Sequence, residues 1–140
     1  MSEERLQSLV VELRILEAYY NEVNARQALL VRVMTESRAA IEAVKAFPQS
    51  GTSDILVPIG GGVFLEAQAP APDYLVVNVG ADVAIRKSRE STISFLEERL
   101  AEVEKAVSSL EAQKADLTRK IEMARNELSQ LVEKLRQGQG

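Results

Sequence analysis

The sequence predicts an α+β fold. A long antiparallel α-helical coiled-coil hairpin carries two β-hairpins inserted between its helices, and these assemble with other chains into an intersubunit β-barrel. Two observations lead there: heptad periodicity at both ends of the chain, and an abrupt change of composition between them. Residues 1–46 contain no Gly or Pro, residues 48–82 hold all four Pro and five of the seven Gly, and residues 83–137 again contain neither. With 140 residues the chain reads as a single domain, 1–140, divided into a helix over 1–47, a β insert over 54–87 and a helix over 88–137.

In the first helix Leu6, Leu9, Leu13, Leu16, Tyr20, Val23, Gln27, Leu30, Met34, Ser37, Ile41 and Val44 follow alternating spacings of three and four. The second helix repeats the rule at Ile93, Leu96, Leu100, Val103, Val107, Leu110, Lys114, Leu117, Ile121, Ala124, Leu128, Leu131 and Leu135. Each run sustains more than five heptads, the signature of a coiled coil. An antiparallel pair sets an a position opposite a d position. If Leu6 faces Leu131, the series continues unbroken to Val44 facing Ile93, and every pair of residue numbers totals 137. In this register large Leu13 meets small Ala124, Gln27 faces Leu110 and Ser37 faces Leu100, so no two polar seam residues are expected to meet.

The insert alternates apolar runs with turn signals. Ile55-Leu56-Val57-Pro58-Ile59, a Gly60-Gly61-Gly62 turn and Val63-Phe64-Leu65-Glu66-Ala67-Gln68 form one hairpin; Tyr74-Leu75-Val76-Val77-Asn78-Val79, a turn at Gly80-Ala81-Asp82 and Val83-Ala84-Ile85-Arg86-Lys87 form the other. Pro58 lacks a donor N–H, so its strand should be an edge or bulged there. Ser88 or Ser91 is the expected N-cap of the second helix, with Glu90 in or beside its first turn. Small hairpins are marginal alone, and exposed apolar strands pair readily. The strands should therefore assemble between chains, through Ile55, Val57, Ile59, Val63, Leu65, Leu75, Val77, Val79, Val83 and Ile85.

Composition excludes several chemistries. The chain has no His, Cys or Trp, which removes thiolate nucleophiles, imidazole bases, Cys/His zinc sites and disulfides. Net charge is −4, spread as −1 over 1–47, −2 over 48–87 and −1 over 88–140, with no basic patch for nucleic acid. No apolar stretch is long enough to span a membrane, and Met1-Ser2-Glu3-Glu4 is not the basic start of a secretory signal, so a cytoplasmic protein is expected. Gly60-Gly61-Gly62 is followed by a strand and by no Lys-Ser/Thr, which makes it a turn and not a phosphate cradle. Glu97, Glu98, Glu102 and Glu104 fall on exposed heptad positions beside Arg99 and Lys105, a solvated face. Ser88, Ser91 and Thr92 have no His to activate them. No catalytic residue, cofactor or metal site is expected, and the chain should not be an enzyme.

Some apolar residues lie off the seam near the chain ends: Val10 at e, Val11 at f and Ile15 at c in the first helix, and Val132 at e in the second. Leu131 and Leu135 lie where the paired helix runs out. Leu29 and Val33, further along, are also off the seam. An apolar surface at the chain-end tip suits contact with another molecule.

The stretch Ile55-Leu56-Val57-Pro58-Ile59-Gly60-Gly61-Gly62-Val63-Phe64 resembles the first hairpin of the α-type subunits of the prefoldin family. Val76-Val77-Asn78-Val79-Gly80-Ala81-Asp82-Val83-Ala84, followed by Arg86-Lys87-Ser88, resembles their second. Length and order of elements match along the whole chain, and two hairpins match the α type, since β-type subunits have one. The helices match only through their heptads. The departures are Asp82 and Val83, where the family more often shows Gly and an aromatic, and Glu66, where Pro is frequent. Asp tolerates left-handed geometry better than most residues.

The resemblance implies a hexamer of two α-type and four β-type subunits joined by their hairpins. Its coiled-coil tips, here Val10, Val11, Ile15, Leu131, Val132 and Leu135, would hold unfolded client proteins and pass them to a group II chaperonin without ATP. Two other readings share the same seam and hairpins: a filament-forming prefoldin-like paralogue, and a structural coiled-coil oligomerisation module.

Overall fold

The computed structural model describes residues 2–138. Met1, where the expected first helix opens, and Gln139 and Gly140 lie outside the described residues. The element order is α1 (Ser2–Ala46), β1 (Thr52–Gly60), β2 (Val63–Pro70), β3 (Leu75–Gly80), β4 (Val83–Lys87) and α2 (Arg89–Gly138). β1 begins at Thr52, two residues before the expected start of the insert at 54, and β3 begins at Leu75, one residue after the expected Tyr74. Of the described residues, 2–33 with 103–138 form one compact unit and 34–102 the other.

In the first unit the two helices bury their heptad seam. Leu9, Leu13, Ile121 and Ala124 form one buried cluster, with Leu16, Tyr20, Leu128 and Leu131 packed against it. Val23, Leu110 and Leu117 form a second, against which Leu16, Tyr20 and Leu30 pack. Leu9 and Val23 are the most enclosed side chains, at 1% and 2% exposure. Every buried residue of α1 is a seam residue, because only that stripe of a two-helix pair can leave water.

Two ion pairs report the register independently of the apolar contacts. The Arg5 guanidinium donates from Nε to Glu127 Oε1 at 2.8 Å and from Nη2 to Oε2 at 2.9 Å, a bidentate bond between g positions. Arg125 Nη2 donates to Glu17 Oε1 at 2.7 Å, between e positions. The residue numbers of these pairs total 132 and 142, five below and five above 137, as the two flanks of a 137 seam require. Cysteines placed at Leu9 and Leu128 should therefore form an intrachain disulfide on oxidation, although the d–a geometry strains the bond. Efficient linking of Leu9 instead to Leu135 or to Ile121, one heptad away on either side, would overturn the register.

One sequence expectation is corrected here. Two polar seam residues do meet: Lys114 Nζ donates to Gln27 Oε1 at 2.9 Å. Gln27 faces the Leu110 layer and Lys114 the next one, and a lysine stem is long enough to reach across adjacent layers.

In the second unit Ser37, Ile41 and Val44 are buried along the last turns of α1. Ser88 is the N-cap of α2, since its Oγ accepts from the Ser91 N–H at 3.1 Å, while Glu90 lies in the first turn. Thr92 is buried and donates its hydroxyl to the Ser88 carbonyl at 2.8 Å. Arg89 Nη2 donates to the Pro48 carbonyl at 3.0 Å, tying the segment after α1 to the start of α2.

The four strands make two separate two-stranded antiparallel hairpins, β1–β2 and β3–β4. They are built alike at an offset of twenty residues. Val57 pairs with Leu65 as Val77 pairs with Ile85, the register then shifts past Ile59 as it does past Val79, and Gly60 pairs with Val63 as Gly80 pairs with Val83. Each connection has two central residues at positive φ, Gly61 and Gly62 at 60° and 78°, and Ala81 and Asp82 at 52° and 60°. Positive φ at both positions matches the right-handed twist of the flanking strands. Asn78 Oδ1 accepts from the Gly80 N–H at 2.9 Å and steadies the second turn, whose central residues are not glycine. Pro58 stands beside the bulge on an edge strand, where its missing donor costs least.

Candidate functional site

Two apolar surfaces are left uncovered, one on the hairpins and one near the chain ends. Side chains directly opposite across an antiparallel pair share a face. Ile55 lies opposite Ala67 and Val57 opposite Leu65, with Val63 two residues along on the same face. In the second hairpin Leu75 lies opposite Lys87 and Val77 opposite Ile85, again with Val83 two residues along. Ile59 and Val79 are the extra residues at the bulges. The structure thus gathers eight of the ten expected assembly residues onto one face of each hairpin, with the other two at the bulges. None of the ten is buried: Ile55, Leu75 and Val77 are half-buried and the rest exposed.

The opposite faces are also partly apolar. Leu56 stands opposite Glu66, Pro58 opposite Phe64 and Val76 opposite Arg86, and Leu56, Phe64 and Val76 are all strongly exposed. Strict alternation in the sequence marks these as second-face residues. The charges on that face differ in sign, with Glu66 on the first hairpin where Arg86 stands on the second. The Arg86 guanidinium lies 4.5 Å from the centroid of the Tyr74 ring, a cation–π contact that shields part of the ring.

Near the chain ends Val11 and Ile15 are 54% and 63% exposed, and Tyr19, another four residues on, is 49% exposed. Side chains four apart lie one above the other on a helix, so the three make one row. Tyr19 was missed in the sequence, although the same spacing marks it. Val10 is half-buried and Val132 is 44% exposed. Each stands one heptad closer to its chain end than a member of the Glu17–Arg125 ion pair, so an apolar pair replaces a charged one on that flank of the seam. Leu131 packs on the Leu9 cluster and is a seam residue, and Leu135 is half-buried. Leu29, midway along α1, is as exposed as Ile15, and Val33, four residues on, is half-buried.

The electrostatics are those of solvated helix faces. Glu97, Glu98, Glu102 and Glu104 are exposed. The hydrogen bond from Arg5 holds the Glu127 carboxyl below the usual carboxylate range; desolvation opposes it, and the Arg5 charge adds to the lowering. That stabilisation is present above the ordinary carboxylate pKa and is lost as pH falls through the lowered one. Among the described residues no group of three or more acidic side chains is placed to hold a metal ion, and no helix is long and apolar enough to cross a membrane.

These features define a class: an antiparallel coiled coil carrying unpaired β-hairpins whose apolar faces are uncovered. The family model for prefoldin subunits matches residues 16–134. A prefoldin subunit alpha of Nitrosopumilus maritimus is 33% identical, covering 98% of this chain and 94% of its own. Another from Methanospirillum hungatei is 31% identical over 79% of this chain and 84% of its own. Among solved structures, the crystal structure of the prefoldin beta subunit from Thermococcus strain KS-1 superposes with a TM-score of 0.64 at 13% identity, covering 90% of each chain. The cryo-EM structure of filamentous PFD from Methanocaldococcus jannaschii gives 0.54 at 23% identity, over 89% of this chain and 98% of that one. The chain belongs to the prefoldin family and is a prefoldin chaperone subunit.

Proposed function

We propose that this chain, as a single prefoldin-like domain, is the α-type member of a cytoplasmic hetero-hexamer of two α-type and four β-type subunits. The observation that carries the proposal is the uncovered pair of hairpins: ten apolar strand residues, none buried, on sheets of only two strands. Other subunits' strands would close these sheets into β-barrels and remove both the exposed edges and the exposed faces. The coiled-coil tips then hold unfolded polypeptides without ATP and deliver them to a group II chaperonin. Several weak apolar tips acting on one client gain strength through effective concentration, with no deep pocket needed.

Sizing the purified chain alone and mixed with a β-type subunit tests the assembly. A discrete complex that forms only in the mixture is the expected result. Polymers of the chain alone would favour the filament-forming reading, for which the exposed strand edges are equally suited. Assembly without suppression of client aggregation would reduce the chain to a structural oligomerisation module.

A further inference from the structure

We infer that Gln27, Lys114 and Glu111 form a register lock, which fixes how the two helices slide against each other and so how much apolar seam is left open at the chain ends. Gln27 is 9% exposed in the middle of an apolar seam. Its Nε2 donates to Glu111 Oε2 at 2.6 Å while its Oε1 accepts from Lys114 Nζ at 2.9 Å. Lys114 Nζ is 4.0 Å from the same Glu111 oxygen and 5.7 Å from the Tyr20 ring centroid. Both polar ends of the Gln27 amide are thus satisfied, and the lysine, its side chain only 18% exposed, meets an amide oxygen, a carboxylate and a ring face.

Apolar pairing alone discriminates poorly between registers. A slip of one heptad to the register totalling 130 exchanges one apolar partner for another at most layers, whereas it adds about 10 Å to the separation of Gln27 and Lys114 along the seam. Gln27 would then face Val103 and Lys114 would face Leu16, leaving the charge beside a leucine with its amide acceptor out of reach, whereas the opposite slip, to 144, would set Gln27 on Leu117 and Lys114 on Leu30 in layers that are still adjacent. An unpaired buried charge is strongly unfavourable, and polar seam residues that specify register are the best-attested use of such groups. The direction of slip matters at the chain ends. In the register one heptad lower, totalling 130, Leu6 would face Ala124, and Leu128, now packed on the Leu9 cluster, would face Ser2 and lose its apolar partner. This inference does not depend on what the chain ends contact.

The test uses the absence of native Cys. The pairs L9C/L128C, L9C/L135C and L9C/I121C are each built into the parent and into Q27L/K114L, and disulfide yields are read at equilibrium in a redox buffer. The expected result is that the L9C/I121C pair, which reports the register totalling 130, rises at least about tenfold in the Q27L/K114L background while helicity and melting temperature hold or increase. Q27L alone, which removes the amide acceptor of Lys114, should melt below both parent and double variant. An unchanged L9C/I121C yield in a fully helical double variant would overturn the lock and assign register to the insert. Additive melting shifts in the two single variants and their combination would also overturn it, since they would show no coupling.

Discussion

Replacing both Val77 and Val79 with Asp is expected to dissociate the mixed assembly while leaving the helical content nearly unchanged. Val77 lies opposite Ile85 on the face that also carries Leu75 and Val83, and Val79 is the extra residue at the bulge beside the turn. A carboxylate carried into an apolar interface without a partner costs several kcal/mol. With about 1.4 kcal/mol per tenfold in affinity, the pair should weaken assembly by roughly a thousandfold or more. The seam clusters contain no strand residue, so the coiled coil has no reason to melt with the interface. Sizing by light scattering, with circular dichroism on the same sample, reads both outcomes. An intact oligomer in the double variant would mean that this face does not build the interface.

Changing Val11 and Ile15 to Ser should reduce protection of a denatured client from aggregation severalfold without altering oligomeric state or melting temperature. Both side chains are more than half exposed, so they contribute little to folding. Apolar area removed from water on contact is worth about 25 cal/mol per Å², a non-directional attraction that suits many client sequences. Adding Tyr19→Ser should deepen the loss, since Tyr19 continues the same row. The β-type tips compensate in part, so the assay belongs in complexes whose β-type tips are truncated. Undiminished protection there by V11S/I15S would remove this row from the client-contacting surface.

What could be read from the sequence follows local periods. The 3.5-residue repeat set both helices and their 137 pairing, because a narrow stripe is all that two helices can bury. The twofold alternation and the glycines likewise placed the hairpins, their turns and the apolar face of each, since successive strand residues must point to opposite sides. The bulge beside Pro58 was legible for the same kind of reason, a missing donor at a known position.

Other features depend on residues far apart in sequence meeting in space. Gln27 lies more than eighty positions from Glu111 and Lys114 across the seam, and no local pattern tells that a lysine will reach into the neighbouring layer. The choice of Ser88 over Ser91 as cap turned on which hydroxyl met a free N–H. That Val10 and Val132 take the place of an ion pair on one flank emerges only once Glu17 and Arg125 fix where the flanks lie. Periodicity names the face a residue occupies; which side chain answers it across the gap is settled by packing and reach.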